Sequence, residues 1–263
     1  MARCSSTAEF TDEEMGAIER FLISCTVPLI YQNAQRTCVL GTGTFFEVSD
    51  RHFLVTAGHL FEGIDPNNLG VPERSGQDVH IVTIGHGTIY HPKDTDEHDV
   101  AVIELLDTDF LRLVQSGWQF LSMANVATPD PTTTTYIVAG HPDETVSYDS
   151  GVLRPAALFQ IYTGRYEGEV ASNRSKFDLY LRYGQQASNT YGFKKDTPHL
   201  GGVSGASVYA VTPSQSIIWA PEGILRIVGI QVAFVNESRK YLHAKTWPLV
   251  EHVLKLALDP SPK

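Results

Sequence analysis

From Pro28 onward the chain is a succession of short runs rich in β-branched and aromatic residues, each broken by Gly, Pro, Asn, Asp or Ser. The runs cover 29–31, 37–48, 52–56, 79–84, 100–105, 136–139, 158–163, 177–182, 207–211 and 225–235. Many short strands with few intervening helices predict an all-β sandwich or barrel architecture. Ser49-Asp50-Arg51 between two such runs reads as a hairpin turn, and the Pro/Thr-rich stretch 128–135 as a loop between two β-units. Helical patterns are confined to the ends. Thr11-Asp12-Glu13-Glu14 is a capping box followed by Met15, Ile18, Phe21 and Leu22 at helical spacing. Residues 248–258 carry the stripe Leu249, Val250, Val253, Leu254 and Leu256-Ala257, closed by Asp259-Pro260. The expected organisation is a helical extension over 1–26, a first β-unit over 27–130, a second over 131–242 and a terminal helix over 243–263. Both helices are expected to cap the β-units, or to offer a docking surface to a regulatory protein partner.

Charge and cysteine usage narrow the function. The 263 residues include 20 Lys+Arg against 30 Asp+Glu, a formal net charge of -10. Clustered basic residues, which carry phosphate-backbone affinity, are limited to the pairs Lys194-Lys195 and Arg239-Lys240, so nucleic acid is not an expected partner. No apolar run approaches the ~20 residues of a spanning helix, and acidic residues from Glu9 onward leave no room for a leader pattern, so no membrane partner is expected. The three cysteines, Cys4, Cys25 and Cys38, are odd in number and cannot staple the remaining chain. They read as structural thiols of a cytoplasmic protein. The ten histidines are scattered, with neither His-Glu-x-x-His nor paired Cys-x-x-Cys, so no metal or other cofactor is expected.

Three places carry candidate chemistry. In Leu200-Gly201-Gly202-Val203-Ser204-Gly205-Ala206-Ser207, glycines on both sides of one serine permit unusual backbone angles and clear space for a substrate carbonyl. If that loop folds back, the amides of Gly202 and Ser204 form an oxyanion hole. In Phe53-Leu54-Val55-Thr56-Ala57-Gly58-His59-Leu60 a strand ends in small residues and a histidine, which is thereby placed at a cleft. In His98-Asp99-Val100-Ala101-Val102 a carboxylate sits at the mouth of an apolar strand, as the orienting member of a triad must; Asp94, Asp96 and Glu97 before it read as a solvated acidic loop. Each pattern alone is common. Their joint occurrence in the order His, Asp, Ser is not.

On these residues the sequence resembles the chymotrypsin-like (trypsin-like) serine peptidases. Thr56-Ala57-Gly58-His59, Asp99-Val100-Ala101-Val102 and Gly202-Val203-Ser204-Gly205 match the family's three motifs. Gly41-Thr42-Gly43-Thr44-Phe45-Phe46 is similar to the strand before its histidine, and Gly229-Ile230 to the strand lining its specificity pocket. The resemblance implies two six-stranded antiparallel β-barrels with the site between them. It implies Ser204 as nucleophile, His59 as general base and then acid, Asp99 as the carboxylate fixing the imidazole, and the amides of Gly202 and Ser204 as the oxyanion hole. Protein or peptide would be the substrate. Val203 stands where cleavage-activated members carry an aspartate, which implies no zymogen cleavage. Leu60 replaces a frequent cysteine, and Ala206-Ser207 replaces Gly-Pro. Pro198 occupies the position of the acid that selects Arg or Lys, and Gln231, Val232 and Ala233 would form a pocket wall for a neutral or small side chain. An α/β-hydrolase would need strand-helix alternation and, after the serine, an acid and then a histidine; only His243 and His252 remain there, and the β-rich chain before Ser204 lacks the helices. The alternative function is a dormant protease-like binding or scaffold module that a partner uses or activates.

Overall fold

The computed structural model describes residues 10–33, 37–75, 80–92, 98–143, 147–149, 152–154, 158–170, 175–184, 186–188, 194–197, 199–213, 218–234 and 241–259. Pro198, Cys4, Asp94, Asp96, Glu97, Arg239 and Lys240 lie outside them. The first sheet is built from β1 (Thr26–Gln32), β2 (Thr37–Val48), β3 (Arg51–Thr56), β4 (Leu69–Pro72), β5 (Ile81–Thr83), β6 (Gly87–Tyr90) and β7 (Ala101–Leu105). Its strand order is β5-β4-β1-β2-β3-β7-β6, antiparallel throughout. Ser49 and Asp50 close the β2–β3 hairpin with φ of 53° and 61°, the left-handed pair that a two-residue turn needs to follow the strand twist. The sheet has seven strands where the resemblance implied six, because Ile81–Thr83 folds back on Leu69–Pro72 as a short added edge.

The second sheet draws on β8 (Tyr136–Gly140), a small β9–β10 hairpin (Ser147–Asp149, Val152–Arg154) standing apart, β11 (Phe159–Thr163), β12 (Asp178–Arg182), a further β13–β14 hairpin (Gln186–Ser188, Lys194–Asp196), β15 (Ser207–Val211), β16 (Leu225–Phe234) and β17 (Tyr241–Thr246). Its six strands run β11-β8-β15-β16-β17-β12, and the two edges meet: Arg165, just past β11, bridges Leu181 of β12. Strand β17 lies centrally, although its sequence reads as a prelude to the last helix. Its Lys245 is only 3% exposed and its Nζ lies 2.7 Å from Asp178 Oδ1, which also receives His243 Nε2 at 2.8 Å. A lysine that finds its carboxylate on the neighbouring strand can be buried, and no local pattern announces that.

Among the described residues four α-helices complete the fold: α1 (Asp12–Cys25), α2 (Thr108–Gly117), the short α3 (Pro221–Ile224) and α4 (Trp247–Leu258). The capping box of α1 forms as read, with Thr11 Oγ1 accepting the Glu14 amide and Glu14 Oε2 accepting the Thr11 amide. Helix α2 was not apparent from the sequence; Asp107 caps it, and Phe110 and Val114 bury into the first sheet. Each sheet has its own inner core. A third core lies between them and carries the terminal helices: Ile18 and Leu22 from α1 and Trp247, Val250 and Leu254 from α4 pack with Phe46 and Phe53 of one sheet and Tyr209 and Ile230 of the other. Each such side chain contributes roughly 1.5–3 kcal/mol on burial, so this shared core fixes the two sheets against one another. Most of the apolar face of each helix is thereby covered; Leu256, expected on the stripe of the last helix, is instead exposed, since it lies off the side that the core covers.

Candidate active site

Sheet register brings the first two residues together across 40 positions of sequence. Strand β3 pairs antiparallel with β7 so that Thr56 faces Ala101. His59, three residues past that pair on a 3-10 turn, therefore meets Asp99, two residues before it. The contact is double. Asp99 Oδ1 accepts the backbone N–H of His59 at 2.7 Å, and Oδ2 lies 2.7 Å from His59 Nδ1. A carboxylate has no proton to give, so Nδ1 carries the hydrogen and Nε2 is left as the ring's acceptor. The hydrogen bond to Asp99, reinforced by its charge and that of Glu62 and opposed by burial, raises the imidazole above its ordinary value of 6.5. The pair is accessible, with the histidine side chain 38% and the aspartate 17% exposed.

Ser204 comes from the other sheet, on the loop that leads into β15. Gly205 must approach the first sheet so closely that a Cβ there would stand 2.0 Å from Thr42 O and 2.1 Å from Thr56 Oγ1, and its φ is +92°. Only glycine meets both conditions. Val203 is buried in the inner core of the second sheet, and the Ser204 carbonyl accepts the Thr42 amide at 2.8 Å. The half-buried Ser204 thus sits beside the 56–60 segment that carries His59. Its Oγ makes no hydrogen bond among the described residues, that to His59 Nε2 included.

The loop backbone is held from behind. Asp143 N–H donates to Gly201 O at 2.8 Å, and Ala206 N–H to Val203 O at 2.9 Å. In a planar trans peptide the N–H points opposite to the C=O. The amides of Gly202 and Ser204 are therefore turned away from those anchors, and neither donates to an acceptor among the described residues.

Of the expected pocket wall, Ala233 is exposed and Val232 packs into the first-sheet core. Gln231 is fully buried, paired with Ala244 across β16–β17, and both polar atoms of its carboxamide lack a hydrogen-bond partner among the described residues. Its backbone joins the site instead, accepting the Gly205 amide and donating to Ala206 O, both at 2.8 Å. Pro198 is outside the described residues. Cys25 is a buried thiol 3.3 Å from Tyr209 Oη, and burial, partly offset by that bond, pushes it up to about 12, far from a nucleophile's range. No group of His, Cys, Asp and Glu among the described residues is arranged to hold a metal, and no described helix is long and apolar enough to cross a membrane. Sequence reasoning missed Thr42, His141 and Asp143, which touch the loop from elements distant in the chain. Thr42 alone had a signal, lying within the Gly-Thr-Gly-Thr run.

No family model matches the chain, and no curated protein matches it by sequence. Among solved structures it is similar to the crystal structure of a thermostable serine protease, AL20, from an extremophilic microorganism. The TM-score is 0.54 over 89% of this chain and 96% of that one, at 11% sequence identity. The class is accordingly one of fold: two curled antiparallel sheets in the chymotrypsin-like arrangement, with a helix at each end. The chain has a serine-protease fold.

Proposed function

We propose that the protein is a serine endopeptidase acting on protein or peptide substrates. The observation that carries the reading is the doubly bonded His59–Asp99 pair, set beside the glycine-flanked Ser204 at the junction of the two sheets. Ser204 Oγ attacks the scissile carbonyl carbon while His59 Nε2 takes its proton, and the developing oxyanion is received by the amides of Gly202 and Ser204. His59 then gives the proton to the leaving amine, the C–N bond breaks, and an acyl-enzyme remains. Water, deprotonated by the same imidazole, releases the acid and restores Ser204. Asp99 holds the tautomer and stabilises the imidazolium formed in both halves, in keeping with the raised His59. Zymogen cleavage has no role here: Val203 is apolar and buried, with no carboxylate for a new N-terminal amine. A cytoplasmic setting suits Cys25 and Cys38, both unpaired thiols.

One observation favours the second reading, a dormant module used or activated by a partner: Ser204 Oγ is not bonded to His59. Such bonds are often long without substrate and tighten only in the Michaelis complex, so the hydrolase reading stands first. A fluorophosphonate probe, which reacts with an activated serine whatever the substrate preference, decides between them. Labelling of wild type that is absent in Ser204→Ala is expected. A folded wild type that takes no label moves the function to the dormant module.

A further inference from the structure

The chemistry proposed for this site requires two amides to be held in place on a loop of small residues, and Val203 supplies no ion pair to lock it. Four hydrogen bonds meet instead at one residue of the first sheet. Thr42 N–H donates to Ser204 O at 2.8 Å, and Thr42 Oγ1 donates to Gly202 O at 2.8 Å. The same hydroxyl oxygen accepts the backbone N–H of His141 at 3.1 Å, and Thr42 O accepts Thr56 Oγ1 at 2.7 Å. A hydroxyl has one proton; here it is committed to Gly202, and a lone pair to His141, so its orientation is fixed at both ends.

His141 is itself immobilised. It is 7% exposed, its Nε2 lies 3.1 Å from Thr26 O, and two residues on, Asp143 N–H holds Gly201 O. One side chain therefore joins three segments: strand β2, the chain leaving β8 and the loop of Ser204. The other anchors of that loop, at Gly201 O, Val203 O and Ser204 O, are all backbone amides that survive most substitutions. Two bonds depend on side chains: the exposed one from Gly201 N–H to His199 Nδ1 at 3.2 Å, made within the loop's own approach, and the part-buried one to Gly202 O, which alone of the two reaches across to the first sheet.

We infer that Thr42 is a positioning residue for the proposed hydrolysis: its hydroxyl ties Gly202 to the backbone of His141 and holds the loop with the Gly202 and Ser204 amides turned to the substrate side. The inference rests on the hydrolase reading and is tested separately from it. Thr42→Val keeps the side-chain shape and removes the hydroxyl, whereas Thr42→Ser keeps the hydroxyl and removes a methyl. The measurements are the fluorophosphonate labelling rate per folded molecule, and kcat and KM on p-nitrophenyl acetate, well below every variant's melting temperature. Thr42→Val is expected to label roughly 10- to 100-fold more slowly, somewhat less than the loss of a whole oxyanion donor, with kcat reduced and KM unchanged. Thr42→Ser is expected to stay close to wild type, although it too is less stable. Should Thr42→Val not fold, Thr42→Ala, which admits water to both orphaned groups, carries the same expectation.

Labelling of Thr42→Val at the wild-type rate overturns the inference, as does a loss of rate that tracks melting temperature across Val and Ser alike. In both cases wild-type labelling, lost in Ser204→Ala, leaves the hydrolase reading intact. A folded wild type that takes no label removes that reading and the role of Thr42 with it.

Discussion

Gly205→Ala is the substitution on which the joining of the two sheets can be tested most sharply. Two costs are separable. The first is conformational: at φ +92° an alanine is strained by roughly 1–2 kcal/mol, less some 0.5 kcal/mol recovered from the stiffer unfolded chain. The second is steric. A Cβ 2.0 Å from Thr42 O and 2.1 Å from Thr56 Oγ1 demands a retreat of more than ~1 Å by one backbone from another, which exceeds the ordinary overpacking cost of about 1–3 kcal/mol. Together they predict a loss of roughly 4 kcal/mol or more. Gly63→Ala serves as the control, because its φ is +68° with nothing within 4 Å of the added methyl, so it isolates the conformational part. At about 2–4 °C per kcal/mol for a chain of this size, Gly63→Ala should lower the melting temperature by about 3 °C and Gly205→Ala by about 10 °C or more. Because a misplacement of ~1 Å near a reacting group can cost about 100-fold in rate, labelling of Gly205→Ala should fall by about that factor while Gly63→Ala keeps the wild-type rate. The assay is thermal unfolding followed by circular dichroism, with labelling in parallel. If Gly205→Ala melted within a degree or two of Gly63→Ala, the close approach of the two sheets at this loop would be refuted.

Two further outcomes concern pH. The neutral imidazole of His59 is the base, so labelling should rise with pH through a midpoint above 6.5 and be lost as the ring protonates below it. Asp99→Asn removes the charge that strengthens this bond and raises the ring, and should lower that midpoint while slowing the reaction by roughly 1,000-fold or more; an unchanged midpoint counts against the pairing. His141 is lowered to about 4, because burial outweighs its bond to Thr26 O. Between its ordinary 6.5 and about 4 the unfolded chain binds a proton that the folded one refuses, so stability falls as the pH is lowered through that window and is level above it. The loss is roughly 3 kcal/mol at its fullest, by about 1.4 kcal/mol per unit. Denaturant melts across that range should show this slope in wild type and its flattening in His141→Phe, whatever the variant's baseline stability; an equal slope in both assigns the acid sensitivity elsewhere.

Much of this molecule was legible in the linear chain. Short β-runs bounded by turn residues marked most of the long strands, since alternation and turn chemistry are local properties, and the hairpin at Ser49-Asp50 and the capping box at Thr11 follow from the same locality. What escaped notice were elements whose residues make sense only with a partner. Strand β17 hides a lysine and a histidine that need Asp178, and β4 and β6 are too short to carry a pattern. Helix α2 has ten residues but buries only Phe110 and Val114 fully, with Leu111 packed part-buried beside them, too sparse a stripe to stand out.

At the site the division is the same. The order His59, Asp99, Ser204 and the glycines around the serine stand in the sequence, because the residue types that chemistry requires are a property of each position. The tertiary structure decided which of them touch. Antiparallel register sets the histidine against the aspartate, and the close passage of the two sheets at Gly205 brings the serine loop to their side. It also decided that Gln231 presents backbone rather than side chain to that loop, and that Thr42 reaches Gly202 across 160 positions. Hydrogen bonds reach about 3 Å through space irrespective of separation along the chain, so an anchor of this kind exists only once both sheets have folded and docked.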